Sequence, residues 1–258
     1  MKRPGKHIAA LVGGLALLTG VTVLAQRRSG FGPPQVSLIQ PNTAYDGKFT
    51  FVRLRYGPPV AYASQRVFWS HDYPTGERNF MSIMNEVTYL APHIEETNVI
   101  SFSDPEIFKY PLAYLCEPGP FFQLTDEEVA NFRAYLLKGG FVIVDDFRFQ
   151  HWEFFEAQMR RVLPDVRFFD LDETHPIFHT FFEIDKPTEY PNMYDQGKPI
   201  FRGIYENNDP AKRLIMIINY NTDISEFWEF SGTGMVPIES SNDAYKLGVN
   251  YIMYGMTH

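Results

Sequence analysis

Four consecutive apolar residues, Phe141-Val142-Ile143-Val144, run straight into two carboxylates, Asp145-Asp146. A run with no polar alternation suits a strand buried on both faces, and such strands belong to parallel sheets with helices packed above and below. The flanking sequence supplies those helices. Ahead of the run, Thr125 with Glu128 three residues on is a capping-box signature, and Val129, Phe132 and Leu136 line one face of the helix it opens. Gly139-Gly140 ends that helix. Behind the run, Trp152, Phe155, Met159 and Val162 recur at helical spacing up to Pro164.

The alternation extends outward. Strands are expected over Thr50–Tyr56, Asn98–Phe102, Leu112–Cys116, Arg167–Leu171, Pro199–Tyr205 and Leu214–Tyr220. In the first, Val52, Leu54 and Tyr56 share one face and Arg53 and Arg55 the other. A helix should cover roughly 78–90 and stop before Pro92, and Ser240 with Asp243 should cap a last helix ending at Gly255. Strands separated by helices demand crossovers, so the expected fold class is α/β: a three-layer, doubly wound, mostly parallel sheet. Ligands of such sheets sit beyond the carboxyl ends of the strands, which directs attention to the residues after Leu115, Val144 and Ile218.

Composition excludes several classes. With 23 basic and 31 acidic side chains, the net charge is −8 and no basic cluster is present, so no nucleic-acid partner is expected. The single cysteine excludes an intramolecular disulfide framework and a four-cysteine metal site. At the N-terminus, Lys2, Arg3 and Lys6 precede an uncharged run from Ile8 to Ala25, with Val23 and Ala25 at the minus-three and minus-one places of a cleavage site before Gln26. Residues 1–25 are therefore expected to be a signal peptide or, uncleaved, an inner-membrane anchor through residues 8–25. Export places the domain in the periplasm or another extracytoplasmic space. Residues 26–48, with Gly30, Gly32, Pro33, Pro34 and Pro41, read as a linker, and 49–258 as a single α/β domain.

Chemistry is carried by few residues. Asp145 and Asp146 end a buried strand and point in different directions, so Asp145 is either a general base, nucleophile or metal ligand in the crevice, or an acceptor that orders the loop. His175-Pro176-Ile177-Phe178-His179 spaces two histidines for a helix face that could share a metal, but Pro176 restricts His175 to an extended or turn conformation, so the readings are a metal pair, a pocket wall or a structural turn. His71-Asp72 lies in a loop with Trp69 and Tyr73 that either walls a pocket or covers a sheet edge. Cys116 precedes Glu117-Pro118-Gly119 without the tight turn into a helix that activates a thiol, so burial is expected. Asn219, Asn221 and Asp223 open like a calcium loop, but Ile224 and Phe230 stand at its sixth and twelfth positions, so Asp223, Glu226 and Glu229 read as loop acceptors or a pocket rim. With no G-x-G-x-x-G, phosphate-cradling loop or G-x-S-x-G elbow, no cofactor and no resident metal are expected.

Taken together, Phe51-Val52-Arg53-Leu54-Arg55-Tyr56, Trp69 with Asp72-Tyr73-Pro74, Tyr110-Pro111 with Glu117-Pro118-Gly119, Gly139-Gly140-Phe141 with Asp145-Asp146-Phe147, His175-Pro176-Ile177-Phe178 and Gly248-Val249-Asn250 resemble the exported bacterial family known as domain of unknown function 4159. The resemblance covers roughly residues 49–258. That family is similar to the class I glutamine amidotransferase-like superfamily, including its trehalose-utilisation-like branch, which implies a flavodoxin-like sheet. In amidotransferases the strand after the Gly-Gly helix end leads into the elbow bearing the cysteine nucleophile; here that place falls on Asp145, so thiol-based glutamine hydrolysis is not expected. His175 resembles the His-Pro of the trehalose-utilisation-like branch in position. Relatives encoded beside AAA ATPases and von Willebrand factor A domain proteins imply work within an envelope assembly.

The sequence thus points to a non-catalytic exported domain that binds a small polar ligand or an envelope protein partner, with Asp145, Asp146, His175, His71, Asp72 and Glu117 as its ligand-binding candidates. The alternative is a hydrolase using Asp145 as base or metal ligand and His175 as acid or second ligand.

Overall fold

The apolar run forms the centre of a seven-stranded sheet. The computed structural model describes residues 36–64, 66–190 and 197–258. The expected signal or anchor segment lies outside the described residues. No helix among the described residues is long and apolar enough to cross a membrane. The strands are β1 (Ser37–Leu38), β2 (Val52–Arg55), β3 (Tyr62–Ala63), β4 (Asn98–Ser101), β5 (Leu112–Cys116), β6 (Phe141–Phe147), β7 (Phe169–Asp170), β8 (Ile200–Tyr205) and β9 (Leu214–Tyr220). The helices are α1 (Thr75–Val87), α2 (Asp126–Leu137), α3 (His151–Val162), α4 (Ile224–Glu229) and α5 (Ile238–Thr257).

The main sheet runs β4-β2-β5-β6-β9-β8-β7. Its first five strands are parallel, β8 is antiparallel to β9, and β7 is antiparallel to β8. Numbered among themselves in chain order, the five parallel strands lie 2-1-3-4-5, consistent with a flavodoxin-like doubly wound layering. Two apolar layers sandwich the sheet. Val142, Val144 and Leu115 pack with α2 and α3 residues Phe132, Leu136, Phe155 and Met159 on one face. Phe141, Ile143 and Tyr114 pack with Phe80 and Met84 of α1, Trp228 of α4 and Leu247 and Tyr251 of α5 on the other.

Several local expectations shift. The helix expected over 78–90 starts at Thr75, directly after Pro74, and gives way at Thr88, whose extended backbone ends it. The strand expected over Arg167–Leu171 shrinks to Phe169–Asp170. The last helix starts at Ile238 rather than being capped by Ser240, because Pro237, which has no N–H to leave unsatisfied, already takes the extended position before it. Helix α4 has no counterpart in the expected elements. The described part of the expected linker is tied to the sheet. Asn42 donates Nδ2 to the Val99 carbonyl and accepts from Val99 N–H, so one amide side chain pairs with the outer edge of β4 as a neighbouring strand would. Asn98 reciprocates with both backbone groups of Thr43.

Candidate functional site

Three chain segments leave the carboxyl ends of adjacent strands and converge: the loop after β2 brings His71 and Asp72, the turn after β5 brings Glu117, and the end of β6 brings Asp145 and Asp146. The register places Cys116 opposite Asp145, and pairing of β6 with β9 shifts between Val144 and Phe147. That irregularity is where the two carboxylates part. Asp72, Glu117 and Asp146 all carry positive φ, at 64°, 43° and 56°. Non-glycine residues adopt that backbone only when their surroundings hold them, and they cluster at working sites. Here Tyr56 holds Glu117 by donating its hydroxyl to the Glu117 carbonyl, and Glu117 N–H donates to the Asp145 carbonyl.

Asp145 turns away from the crevice. It is wholly buried and accepts from Asn219 Nδ2, the Tyr114 hydroxyl and the N–H groups of Ile224 and Ser225. The last two are free donors at the start of α4, so the side chain anchors that helix. Burial pushes the Asp145 carboxyl up to about 7, against the Asn219 hydrogen bond and with the Asp146 charge adding to it. The sharp turn expected at Asp145 belongs to its neighbour, Asp146, which carries the positive φ.

Asp146 turns into the crevice. Its Oδ2 lies 3.6 Å from His71 Nδ1 and accepts from Cys116 Sγ at 3.8 Å, and its Oδ1 lies 3.8 Å from Arg148 Nη1. His71 Nδ1 is also 2.8 Å from Glu117 Oε2, off the hydrogen-bond direction, since that buried oxygen has no hydrogen-bond partner. Burial opposes the charged imidazolium of His71, but its close contacts with Asp146 and Glu117 prevail and push it up to about 11. Burial, the Glu117 charge and the Asp72 charge raise Asp146.

Asp72 links the crevice to α4. It accepts from Ser225 Oγ, and its ligand-capable oxygen lies within 4.8 Å of those of Asp223 and Glu226. Burial, then the charge of Asp72 and a hydrogen bond to it, push Glu226 up to about 9 and Glu229 to about 7. Asp223 caps α4 by accepting from Glu226 N–H. Cys116 is fully buried, and burial with the Asp146 charge raises it well above the usual thiol range. As a donor to Asp146 Oδ2 it is held as the thiol.

His175 stands at the other end of the sheet. Its Nε2 pairs with the Tyr205 hydroxyl and its ring faces Tyr254. Tyr205 is opposite Leu214, the first residue of β9, and Tyr254 packs on Phe141, the first residue of β6. Four residues of strand separate Phe141 from Asp145, roughly 13 Å at about 3.3 Å per residue. The expected Asp145–His175 pair is therefore not brought together, because β8 reverses direction and returns its end to the amino side of the parallel strands. His71, Asp72, Glu117 and Asp146 are brought together.

His151 was not among the expected residues. It opens α3 and stacks on Phe68, with Nδ1 buried, without a hydrogen-bond partner and 4.0 Å from Glu117 Oε1. Burial lowers it, favouring the neutral ring. The only sequence signal was its place at the start of a helix following the β6 carboxylates. Donor atoms of His71, Glu117 and Asp146 lie within 4.8 Å of one another, as do those of Asp72, Cys116 and Asp146. A hollow of about 310 Å³ lies elsewhere, among Glu183, Asp185, Lys186, Glu189, Asp243 and Lys246, and shares no residue with this group.

Residues 50–256 match the family described as Domain of unknown function (DUF4159). No curated protein matches the chain.

Proposed function

The chain belongs to the DUF4159 family, and on that premise we propose that it is an exported, amidotransferase-like domain without a cysteine nucleophile, which binds a small polar ligand of the cell envelope in the crevice beyond β2, β5 and β6. The observation that carries this reading is the convergence of His71, Glu117 and Asp146 at the carboxyl ends of neighbouring parallel strands, with Glu117 and Asp146 both held in strained backbone. In a doubly wound sheet this is where ligands sit. The turn at Asp146 occupies the place in which an amidotransferase keeps its reactive sulfur, while the chain's one thiol is buried, protonated and engaged with that same aspartate. Binding without turnover is favoured over hydrolysis by Asp145 and His175 because an acid and a base must reach one substrate within a hydrogen bond or one bridging water. Asp145 spends Oδ2 on α4 and Tyr114 and Oδ1 on Asn219, and His175 spends Nε2 on Tyr205.

The test is a thermal-shift screen of the purified full chain against sugars, amino acids and divalent ions, with glutamine and ester hydrolysis measured alongside. Stabilisation by a polar ligand that is reduced in Asp146→Asn, with no turnover and no alkylation of native Cys116 by iodoacetamide, is expected. Glutamine hydrolysis accompanied by Cys116 alkylation would overturn the reading.

A further inference from the structure

We propose that His71, Glu117 and Asp146 hold a divalent first-row transition-metal ion of the zinc type, with His151 supplying a fourth donor. The inference rests on the reading of the strand-end crevice as the binding place and specifies what it binds. Carboxylates gathered at strand ends would not carry it alone. The second observation is Glu117: the residue is 6% exposed, yet its Oε2 points into the group without a hydrogen-bond partner. His71 Nδ1 lies 2.8 Å away without making a hydrogen bond to it, and a buried carboxylate oxygen left without one is costly; a metal ion taking the place of the imidazolium proton would satisfy both groups. His151 Nδ1, 4.0 Å from the other Glu117 oxygen, is also buried and without a hydrogen-bond partner.

The donor chemistry selects the class of ion. Two imidazole nitrogens with two carboxylate oxygens suit zinc and its first-row neighbours, whereas calcium and magnesium take all-oxygen shells. The geometry suits it too. Tetrahedral donors held about 2.0–2.1 Å from zinc stand roughly 3.3 Å from one another. Here His71 Nδ1 lies 2.8 Å from Glu117 Oε2 and 3.6 Å from Asp146 Oδ2, and Glu117 Oε1 lies 4.0 Å from His151 Nδ1. The first two distances bracket that spacing, and His71, Glu117 and Asp146 all have donor atoms within 4.8 Å of one another; His151 stands just outside that group and would have to swing toward it to complete the shell. The supporting shell is present: the Tyr56 hydroxyl fixes the Glu117 carbonyl, and Arg148 stands by the Asp146 oxygen that faces away from His71. The side chains of His71 and His151 are 23% and 21% exposed, which leaves a path for the ion from solvent.

The experiment is zinc chloride titration of the chelator-treated full chain, followed calorimetrically and by metal analysis, with X-ray absorption of the zinc-loaded wild type. One zinc per chain is expected, with a shell of nitrogen and oxygen that includes imidazole. Glu117→Gln should weaken binding by more than about 100-fold, beyond the roughly 10–100-fold that loss of an outer partner costs. Glu127→Gln, on the exposed side of α2, should leave affinity unchanged. Absence of stoichiometric zinc, a sulfur scatterer from Cys116, or unchanged affinity in Glu117→Gln would each overturn the assignment. Should that variant fail to fold, the wild-type absorption spectrum decides by the presence or absence of imidazole. An organic ligand that binds without zinc would defeat this inference and leave the binding reading intact; zinc binding accompanied by hydrolytic turnover would do the reverse.

Discussion

Arg53 lies in β2 with 1% of its surface exposed; its Nε donates to Glu77, its Nη1 donates to the Trp69 carbonyl, and its guanidinium lies 4.9 Å from the centre of the Tyr114 ring. It thereby fastens the loop that carries His71 and Asp72 to the sheet and to α1. Glu77 is fully buried, and burial raises its carboxyl even beside Arg53. Because Glu77→Gln leaves the guanidinium buried without its counter-charge, urea unfolding should show a loss of about 3–5 kcal/mol. A loss below about 1 kcal/mol, the range of an exposed pair, would mean the charge is compensated elsewhere. Alternation along Thr50–Tyr56 put Arg53 and Arg55 on one face but said nothing of burial there. In a parallel sheet covered on both sides, neither face meets water, so periodicity distinguishes faces without distinguishing inside from outside. Glu117 and Asp146 were legible from strand-end position, and His71 and Asp72 from their place in a long aromatic loop; His151 was not, since it joins them only through the fold.

Among the elements, α5 fits closely against α1 and α4. A Cβ on Gly248 would stand 2.7 Å from both Phe80 and Trp228, two buried rings stacked with centroids 4.2 Å apart. Helix propensity favours alanine there by up to about 1 kcal/mol, but forcing apart a stacked, buried pair costs about 1–3 kcal/mol. Gly248→Ala should therefore lower the Tm, and a raised Tm would show that the rings yield freely. The alternation of strands and helices was readable because each long segment had a matching period and a cap, as at Thr125 and Glu128, whose capping box is formed. Helix α4 escaped because six residues are too few for a period. Its signal is the spacing of Asp223 and Glu226, a cap that a loop reading of the same residues hides. The register of β8 was equally out of reach, and with it the place of His175, since local sequence does not specify whether a strand joins a sheet parallel or reversed.

At the scale of the whole molecule, the carboxylates around Asp72 make stability depend on pH in an unusual direction. Burial and the Asp72 charge raise Glu226 to about 9 and Glu229 to about 7, against about 4.3 for glutamate in an unfolded chain. The folded state therefore holds protons that the unfolded state gives up, so this stabilisation is complete below the unfolded value and is lost as pH rises through 7 and 9. His71, raised to about 11, acts in the same sense above about 6.5. Thermal melts of the chelator-treated protein at constant ionic strength should show Tm falling from pH 5 to pH 9. A flat or rising profile would mean that these groups ionise independently.

The hold of Asn42 on β4 has a consequence for how this molecule behaves in company. An outermost strand with free N–H and C=O groups is a template on which another chain can stack. Here the template is closed at Val99 by one carboxamide donated from the segment that leads into the domain. Peeling that segment back would re-expose the N–H and C=O of Val99, so the stretch leading into the fold also shields this outer strand from pairing with a strand of another chain.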